Sequence, residues 1–417
     1  MTFMTYFFIL GNNPSLSIAE ILKTLKSKKI KPRFISLEFL ILDSEEILEI
    51  EKLQNQLGGT IKIGEIFFEE SKNLEVEKEI IKKNIYQLLE TDKKKIKIGC
   101  SFYGFEDLES VKITEIFINK IIGEIKVELG ERGVGLQKIA PERFIFSSAD
   151  LAKKKILKQG EEIVLLFRKN RIFIGKTIVC QDFKKYILYD IKRPARVIKK
   201  GMIPPKLAKI MINLGINSIN GCFLDPFCGS GTIIQQAVLA GFKGVIGTDK
   251  DKRIIKEADK NLSWLGKKNN LDLKGLKIFY SDARRISQKI RPHSITLIAT
   301  EPYLGPLKFK PSECSSIIRE LKELYLAVFQ EFKKILKIGQ KMVIIFPIFI
   351  IGNKQYDLKI INEIEKNGWI LETAIDFSSL MGCNIEKGVI KITPRNSIIY
   401  SRPKQTVLRE IFIFKNI

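Results

Sequence analysis

Cys222-Phe223-Leu224-Asp225-Pro226-Phe227-Cys228-Gly229-Ser230-Gly231-Thr232 runs directly into the apolar stretch IIQQAVLAGF at 233–242. The pattern reads as a short strand ending in an acid, a turn through two close glycines and a helix. Glycines at such a turn let a ligand approach the backbone closely at the carboxyl edge of a sheet. The loop is not a dinucleotide fingerprint, because Ile234 stands where the third glycine of GxGxxG is needed, and no Gly-Lys-Ser/Thr follows to make a P-loop. An acid beside a glycine turn instead suits S-adenosylmethionine, whose methionyl amino group is cationic and which carries no pyrophosphate.

Strand-like and helix-like segments alternate strictly from Met202 onward, which predicts a doubly wound parallel sheet with an α/β, Rossmann-like fold. The expected strands are CFLD, GVIGTD, LKIFYSD, SITLIAT, KMVIIFPIF and WILETAIDF, with a last strand near REIFIF. The second ends at Asp249, 24 positions after Asp225, where a carboxylate can accept hydrogen bonds from both ribose hydroxyls. The third ends at Asp282, followed by Ala283, where a carboxylate can accept from an adenine amine. Any one of these acids alone would more often be a helix cap; three at successive strand tips point to a cofactor edge.

SITLIAT runs into Glu301-Pro302-Tyr303-Leu304-Gly305-Pro306 at the tip expected beside the first strand, where a methyl acceptor would sit. The segment resembles the [DNS]PP[YF] motif of amino-methyltransferases. An exocyclic amine is conjugated and poorly nucleophilic, so its site must hold the hydrogens, aim the nitrogen and stack the ring. A carboxylate, a rigid backbone carbonyl and an aromatic ring supply these. Glu301 stands where Asp, Asn or Ser is usual, and a single proline precedes Tyr303, so the acceptor geometry differs from the common pattern.

The 417 residues correspond to two to four domains at roughly 100–200 residues each. Residues 1–72 switch between periods of 2 and 3.6 and read as a small α+β unit, 73–183 as a second α+β unit, 184–201 as a basic linker, and 202–417 as the α/β domain. The segment DLAKKKILKQG reads as a helix whose Lys153, Lys154 and Lys155 offer a phosphate-contacting face, with a solvated face as the plainer reading. Lys169-Asn170 reads as a hairpin turn. Lys and Arg exceed Asp and Glu to give a net charge of +24, which favours a polyanionic partner and is also what a lysine-rich, AT-biased coding sequence produces.

With these residues in view, the chain resembles the THUMP-containing tRNA guanine-N2 methyltransferases, which methylate guanosine 10 of tRNA. The resemblance rests on FILGNNPSLSIAEI (8–21), RIFIGKTIVCQDFKKYILYDIKRPAR (171–196), GMIPPKLAKIMINLG (201–215), DPFCGSGT, GTD, SDA and TEPYLGP. It implies an S-adenosylmethionine-dependent methyltransferase domain preceded by α+β ferredoxin-like and THUMP domains, the latter gripping tRNA. It implies that Asp225, Pro226, Phe227, Gly229, Gly231, Thr232, Asp249, Asp282 and Ala283 line the cofactor, with Met202 and Pro204 closing over it. By the same resemblance Glu301, Pro302 and Tyr303 hold the target guanine. Arg193 and Arg196, flanking Pro194, are expected either to contact phosphates at the junction or to pack between domains. Eukaryotic relatives use a small accessory subunit, for which nothing in this sequence marks a docking surface.

Two other functions compete: methylation of adenine N6, since the same motif type serves both amines, and tRNA binding without catalysis. A cytosine-C5 enzyme would need a nucleophilic cysteine on the fourth-strand loop, and Cys314 follows Glu313 instead. The six cysteines form no CxxC pair and His293 is the only histidine, so a Cys/His metal site is not expected. Trp264 reads as a core or interface residue. The longest apolar run, Val343–Ile351, is broken by Pro347 and far shorter than the ~20 residues of a membrane span, and the N-terminus reads as a first strand, so a cytoplasmic location is expected.

Overall fold

The computed structural model describes residues 3–71, 76–89, 93–168, 171–195, 202–306, 308–403 and 405–417. Two sheets organise them. The N-terminal part contributes β1 (Met4–Leu10), β2 (Ile30–Ile35), β3 (Phe39–Ser44), β4 (Thr60–Ser71), β5 (Lys95–Tyr103), β6 (Gly135–Ile139), β7 (Gly160–Arg168) and β8 (Arg171–Cys180). Its helices are α1 (Pro14–Thr24), α2 (Ile50–Gln56), α3 (Lys78–Leu89), α4 (Leu108–Glu131), α5 (Ser148–Lys153), α6 (Ile156–Gln159) and α7 (Phe183–Asp190). The C-terminal part contributes β9 (Cys222–Asp225), β10 (Gly244–Asp249), β11 (Leu276–Tyr280), β12 (Ile295–Thr300), β13 (Leu336–Ile351), β14 (Lys354–Tyr356), β15 (Trp369–Glu372), β16 (Asn384–Ile385), β17 (Ile398–Tyr400) and β18 (Val407–Asn416). Its helices are α8 (Pro205–Gly215), α9 (Thr232–Leu239), α10 (Lys252–Asn269), α11 (Cys314–Ile335) and α12 (Ile361–Lys366).

The C-terminal sheet has the order β11-β10-β9-β12-β13-β18-β15. Its first five strands are parallel, and the order reverses between β9 and β12, the switch point where open α/β sheets bind ligands. The last strand departs from the all-parallel expectation: β18 inserts antiparallel between β13 and β15. The antiparallel pairing carries charged Arg409 and Glu410 into the sheet opposite Pro347 and Phe346.

The N-terminal sheet is continuous across residues 4–180, in the order β16-β2-β3-β1-β4-β8-β7-β5-β6, and β4 joins its halves by pairing β1 on one side and β8 on the other. At its centre Glu162 accepts hydrogen bonds from Lys62 Nζ at 2.5 Å, Ser101 Oγ at 2.5 Å and Thr177 Oγ1 at 2.6 Å. Both charged side chains are fully buried, and a buried pair of this kind persists only when its remaining polar atoms are satisfied. The DLAKKKILKQG segment is not one helix. Lys155 adopts φ 56° and separates α5 from α6.

One buried cluster passes from Leu16 and Ile18 of α1 through Leu207 and Met211 of α8 to Phe223 of β9, so the two parts share a core. The chain also crosses back: β16 adds a parallel strand to β2, and Ser15 Oγ donates to the Val389 carbonyl at 3.0 Å. Glu20 of α1 is buried and accepts from the Gly58 and Gly59 amides at 2.8 Å each and from Asn213 Nδ2 of α8 at 2.6 Å. Desolvation pushes its carboxyl up to about 7. Glu20→Ala leaves the buried Gly58 and Gly59 amides without an acceptor, at about 1–3 kcal/mol for each, while Asn213 Nδ2 keeps the Gln56 carbonyl at 2.8 Å. It is therefore expected to lower the thermal midpoint of the full chain by several degrees, measured by scanning calorimetry.

Candidate active site

The glycine turn is held from below. Cys228 N–H donates to the Thr248 carbonyl at 2.9 Å and Gly231 N–H to the Cys228 carbonyl at 2.8 Å, tying the loop to β10 and to itself. Gly229 and Gly231 take φ of 51° and 89°, left-handed conformations that other L-residues adopt only with strain. A Cβ placed on Gly229 would meet no atom within 4 Å, so open space lies over the backbone at this turn.

The three strand-tip acids are each tied into the fold. Asp225 is buried and accepts from Phe227 N–H at 3.2 Å and Thr300 Oγ1 at 2.6 Å. Burial pushes its carboxyl up to about 7, with the charges of Asp249 and Glu301 adding to the rise. Asp249 accepts from Gly229 N–H at 3.1 Å and Asp251 N–H at 2.9 Å, joining the second strand tip to the glycine loop. Asp282 caps the turn at Ala283–Gln288 by accepting from Arg284 N–H at 2.9 Å, and the Arg284 guanidinium, 2.6 Å away, holds its carboxyl below the usual range. Ala283 is buried beneath that turn.

Arg193 turns inward instead of toward solvent. It is 4% exposed, donates Nη1 to Thr232 Oγ1 at 2.7 Å and sets Nη2 3.0 Å from Met202 Sδ. A buried guanidinium bonded to the first residue of α9 cannot contact a phosphate; it ties half-buried Met202 to the glycine loop, while Pro204 caps α8 nearby in sequence. This makes the packing alternative the correct one for Arg193. Arg196, like the Lys169-Asn170 turn, lies outside the described residues. Lys153 and Lys155 are exposed, whereas Lys154 folds back to the Ala140 carbonyl at 2.9 Å and over the Phe146 ring.

At the fourth tip Pro302 is buried and Tyr303 is 54% exposed, its ring free to face a ligand. The Tyr303 carbonyl accepts from Tyr325 Oη at 3.4 Å, and that hydroxyl also reaches the Ile345 carbonyl at 3.1 Å. Glu301 Oε1 accepts from Arg409 Nε at 2.5 Å, with both side chains largely buried. Burial pushes the Glu301 carboxyl up, and Arg409 works against that rise. The Thr300–Asp225 hydrogen bond places this motif next to the first strand tip. Arg409 and Asn261 were not legible as site residues. Asn261 donates to the Ser230 and Ala195 carbonyls, both at 2.8 Å. Charged Arg409 within the apolar REIFIF strand was the available signal, since an arginine in a central strand is seldom unpaired.

A five-strand parallel order with a glycine turn at the first tip and an acid–proline–aromatic motif at the fourth defines a Rossmann-like domain. Residues 193–349 match the family model described as UPF0020, an RMKL-like methyltransferase domain. The chain is 29% identical over 176 residues to a tRNA (guanine(10)-N2)-dimethyltransferase of Methanocaldococcus jannaschii, covering 42% of this chain and 48% of that protein. It is 35% identical over 107 residues to the protein of the same name from Methanothermobacter thermautotrophicus, covering 25% of this chain and 28% of that one. The chain thus spans less than half the length of the curated relatives it matches. Their names are those of the tRNA guanine-N2 methyltransferases that the sequence resembles.

Among solved structures, TrmN from Thermus thermophilus aligns over 99% of this chain and 100% of its own with a TM-score of 0.54 at 13% identity. A possible methylase from Clostridium difficile 630 aligns over 100% and 99% with a TM-score of 0.52 at 14% identity. These likenesses are of fold. Among the described residues, no helix is long and apolar enough to cross a membrane and no group of three or more His, Cys, Asp and Glu side chains could hold a metal ion.

Proposed function

We propose that this protein transfers a methyl group from S-adenosylmethionine to the exocyclic N2 amine of a guanosine in tRNA, at position 10 as in the relatives' names. The observation that carries the proposal is the Thr300–Asp225 hydrogen bond, which sets Glu301-Pro302-Tyr303 beside the glycine turn. The residues fit the cofactor: open space over Gly229, a buried acid at Asp225 for a cationic amine, and Asp249 and Asp282 at the next two tips. Pro226, Phe227, Thr232 and Ala283 shape the walls, and Met202 with Pro204 covers the turn. When bound, the cofactor supplies an electrophilic methyl group.

The chain must do the rest. Glu301, held by Arg409, accepts one N2–H of the guanine and so fixes the nitrogen's direction while raising its electron density. The Pro302 backbone carbonyl takes the second hydrogen, and the Tyr303 ring stacks on the base. After transfer the nitrogen sheds a proton, and Glu301 is its acceptor. Catalysis of this kind is positioning and preorganised charge. The continuous N-terminal sheet serves as the ferredoxin-like and THUMP part that grips tRNA, with exposed Lys153 and Lys155 toward phosphates.

The test is methyl transfer to unmodified tRNA from labelled cofactor, with digestion to nucleosides and mass spectrometry. N2-methylguanosine, with its dimethylated form if a second transfer follows, supports the proposal; N6-methyladenosine or no methylated nucleoside overturns it. Asp225 adds a pH dependence. Its free-state carboxyl sits at about 7, and a cationic amine binds only the ionised form well. Cofactor affinity is therefore expected to rise as pH increases from 6 through 7 and to fall again above about 8, where a free α-amine loses its proton. Titration calorimetry on Asp225→Asn should show lower affinity and no rise between pH 6 and 7.

A further inference from the structure

The surface of α10 carries a feature that the methyl-transfer site does not use. A groove of about 560 Å³ lies between the connector at Pro194 and the face of α10 bearing Lys260, Ser263, Trp264, Lys267 and Lys268. These helix positions fall at i, i+3, i+4, i+7 and i+8, a single face of an α-helix. Such a face on a domain helix normally carries apolar residues toward a core. The core face of α10 lies elsewhere, through Ile254, Ala258, Leu262 and Leu265. The three lysines are exposed and none has an ion-pair partner among the described residues; Asp259 is the one acidic side chain lining the groove. Trp264 is half-buried: it packs against the core cluster and also lines the groove.

The groove is also built. The connector is pinned to α10 by the reciprocal hydrogen bonds of Ala195 with Asn261, both at 2.8 Å, and α7 by Tyr189 Oη to Asn269 Oδ1 at 3.0 Å. Asn261 holds the Ser230 carbonyl of the glycine turn from the same helix. Trp264 lies 12 residues beyond the first residue of α10, about 18 Å along the axis from the cofactor edge at 1.5 Å per residue. The base being methylated cannot sit there.

We propose that this groove is a second RNA subsite, in which an unpaired nucleobase of the substrate stacks on Trp264 while its neighbouring phosphates lie against Lys260, Lys267 and Lys268. An aromatic face flanked by cations is the usual platform for an unpaired base, tolerant of sequence because every base has a π-face. The subsite rests on the reading of the protein as an RNA methyltransferase and lets one RNA molecule be held at two points of the catalytic domain.

The chain contains two tryptophans, and the other, Trp369, is 1% exposed, so indole fluorescence reports the groove. Titration of the full chain with an unstructured 12-nucleotide oligouridylate is expected to quench emission, and heparin, a polyanion without bases, is not. Trp264→Leu should abolish the quench and weaken oligonucleotide binding by about tenfold. A triple variant, Lys260→Glu, Lys267→Glu and Lys268→Glu, keeps the indole and alters only exposed positions. It should retain cofactor binding and lower the slope of log affinity against log salt by about two. Quenching that survives Trp264→Leu, equal quenching by heparin, or an unchanged salt slope in the triple variant would each overturn the subsite. Because the readout is binding, its loss is separable from loss of methyl transfer: wild-type protein that quenches yet forms no methylguanosine refutes the proposed activity and leaves the groove standing.

Discussion

Replacing Glu301 by alanine is expected to reduce methyl transfer by about a hundredfold or more, the scale of loss when a reacting atom is no longer aimed. Cofactor affinity should change little, because Glu301 faces the acceptor side. The same change removes a carboxylate partner from Arg409, which is 7% exposed, so the variant is also expected to melt earlier. Glu301→Gln separates the two effects, since the amide retains an oxygen for Arg409 Nε and loses the charge that takes the amine proton. Single-turnover rates and a melting curve on both variants check this. Arg409→Met acts through Glu301: without the guanidinium, burial drives the carboxyl further upward. A carboxyl with a higher pKa stays protonated to higher pH, so the acid limb of the rate profile should move to higher pH and activity should partly recover on raising the pH. A role for Arg409 in packing alone would leave that limb where it is.

The second large effect concerns stability. Lys62→Met leaves Glu162 as an unpaired carboxylate among Ser101 and Thr177, all fully buried or nearly so. A loss of about 3–5 kcal/mol is expected, read as a fall in the denaturation midpoint of the full chain. Adding Glu162→Gln to Lys62→Met should return much of it, because the second change removes the stranded charge. If the double variant is no more stable than the single one, the pair is not the centre of the N-terminal sheet's polar network.

What was legible in the sequence was what lies close together along the chain. The glycine turn, Asp249, Asp282 and the Glu301-Pro302-Tyr303 motif are short segments whose strand–turn–helix context fixes their placement at one sheet edge, and the structure sets them there. Arg409 lies 108 positions from Glu301, and its pairing depends on β18 entering the sheet antiparallel, a long-range choice that no local period encodes. The same holds for β4 joining the N-terminal strands into one sheet and for β16 returning to β2. For Arg193 the basic connector left phosphate contact and packing between domains both open; only the docking of Met202 and Thr232 around it shows a buried guanidinium. The lysine run at 153–155 read as one helix because lysine is a good helix former, and tertiary packing overrode that preference at Lys155.

The most direct measurement compares two tRNAs that are identical except at position 10: guanosine in one, and inosine, which is guanosine without the exocyclic amine, in the other. With labelled S-adenosylmethionine, the guanosine tRNA should accept methyl and the inosine tRNA none, while both bind with similar affinity. Equal methyl acceptance by the inosine tRNA would contradict transfer to the N2 amine of that nucleotide.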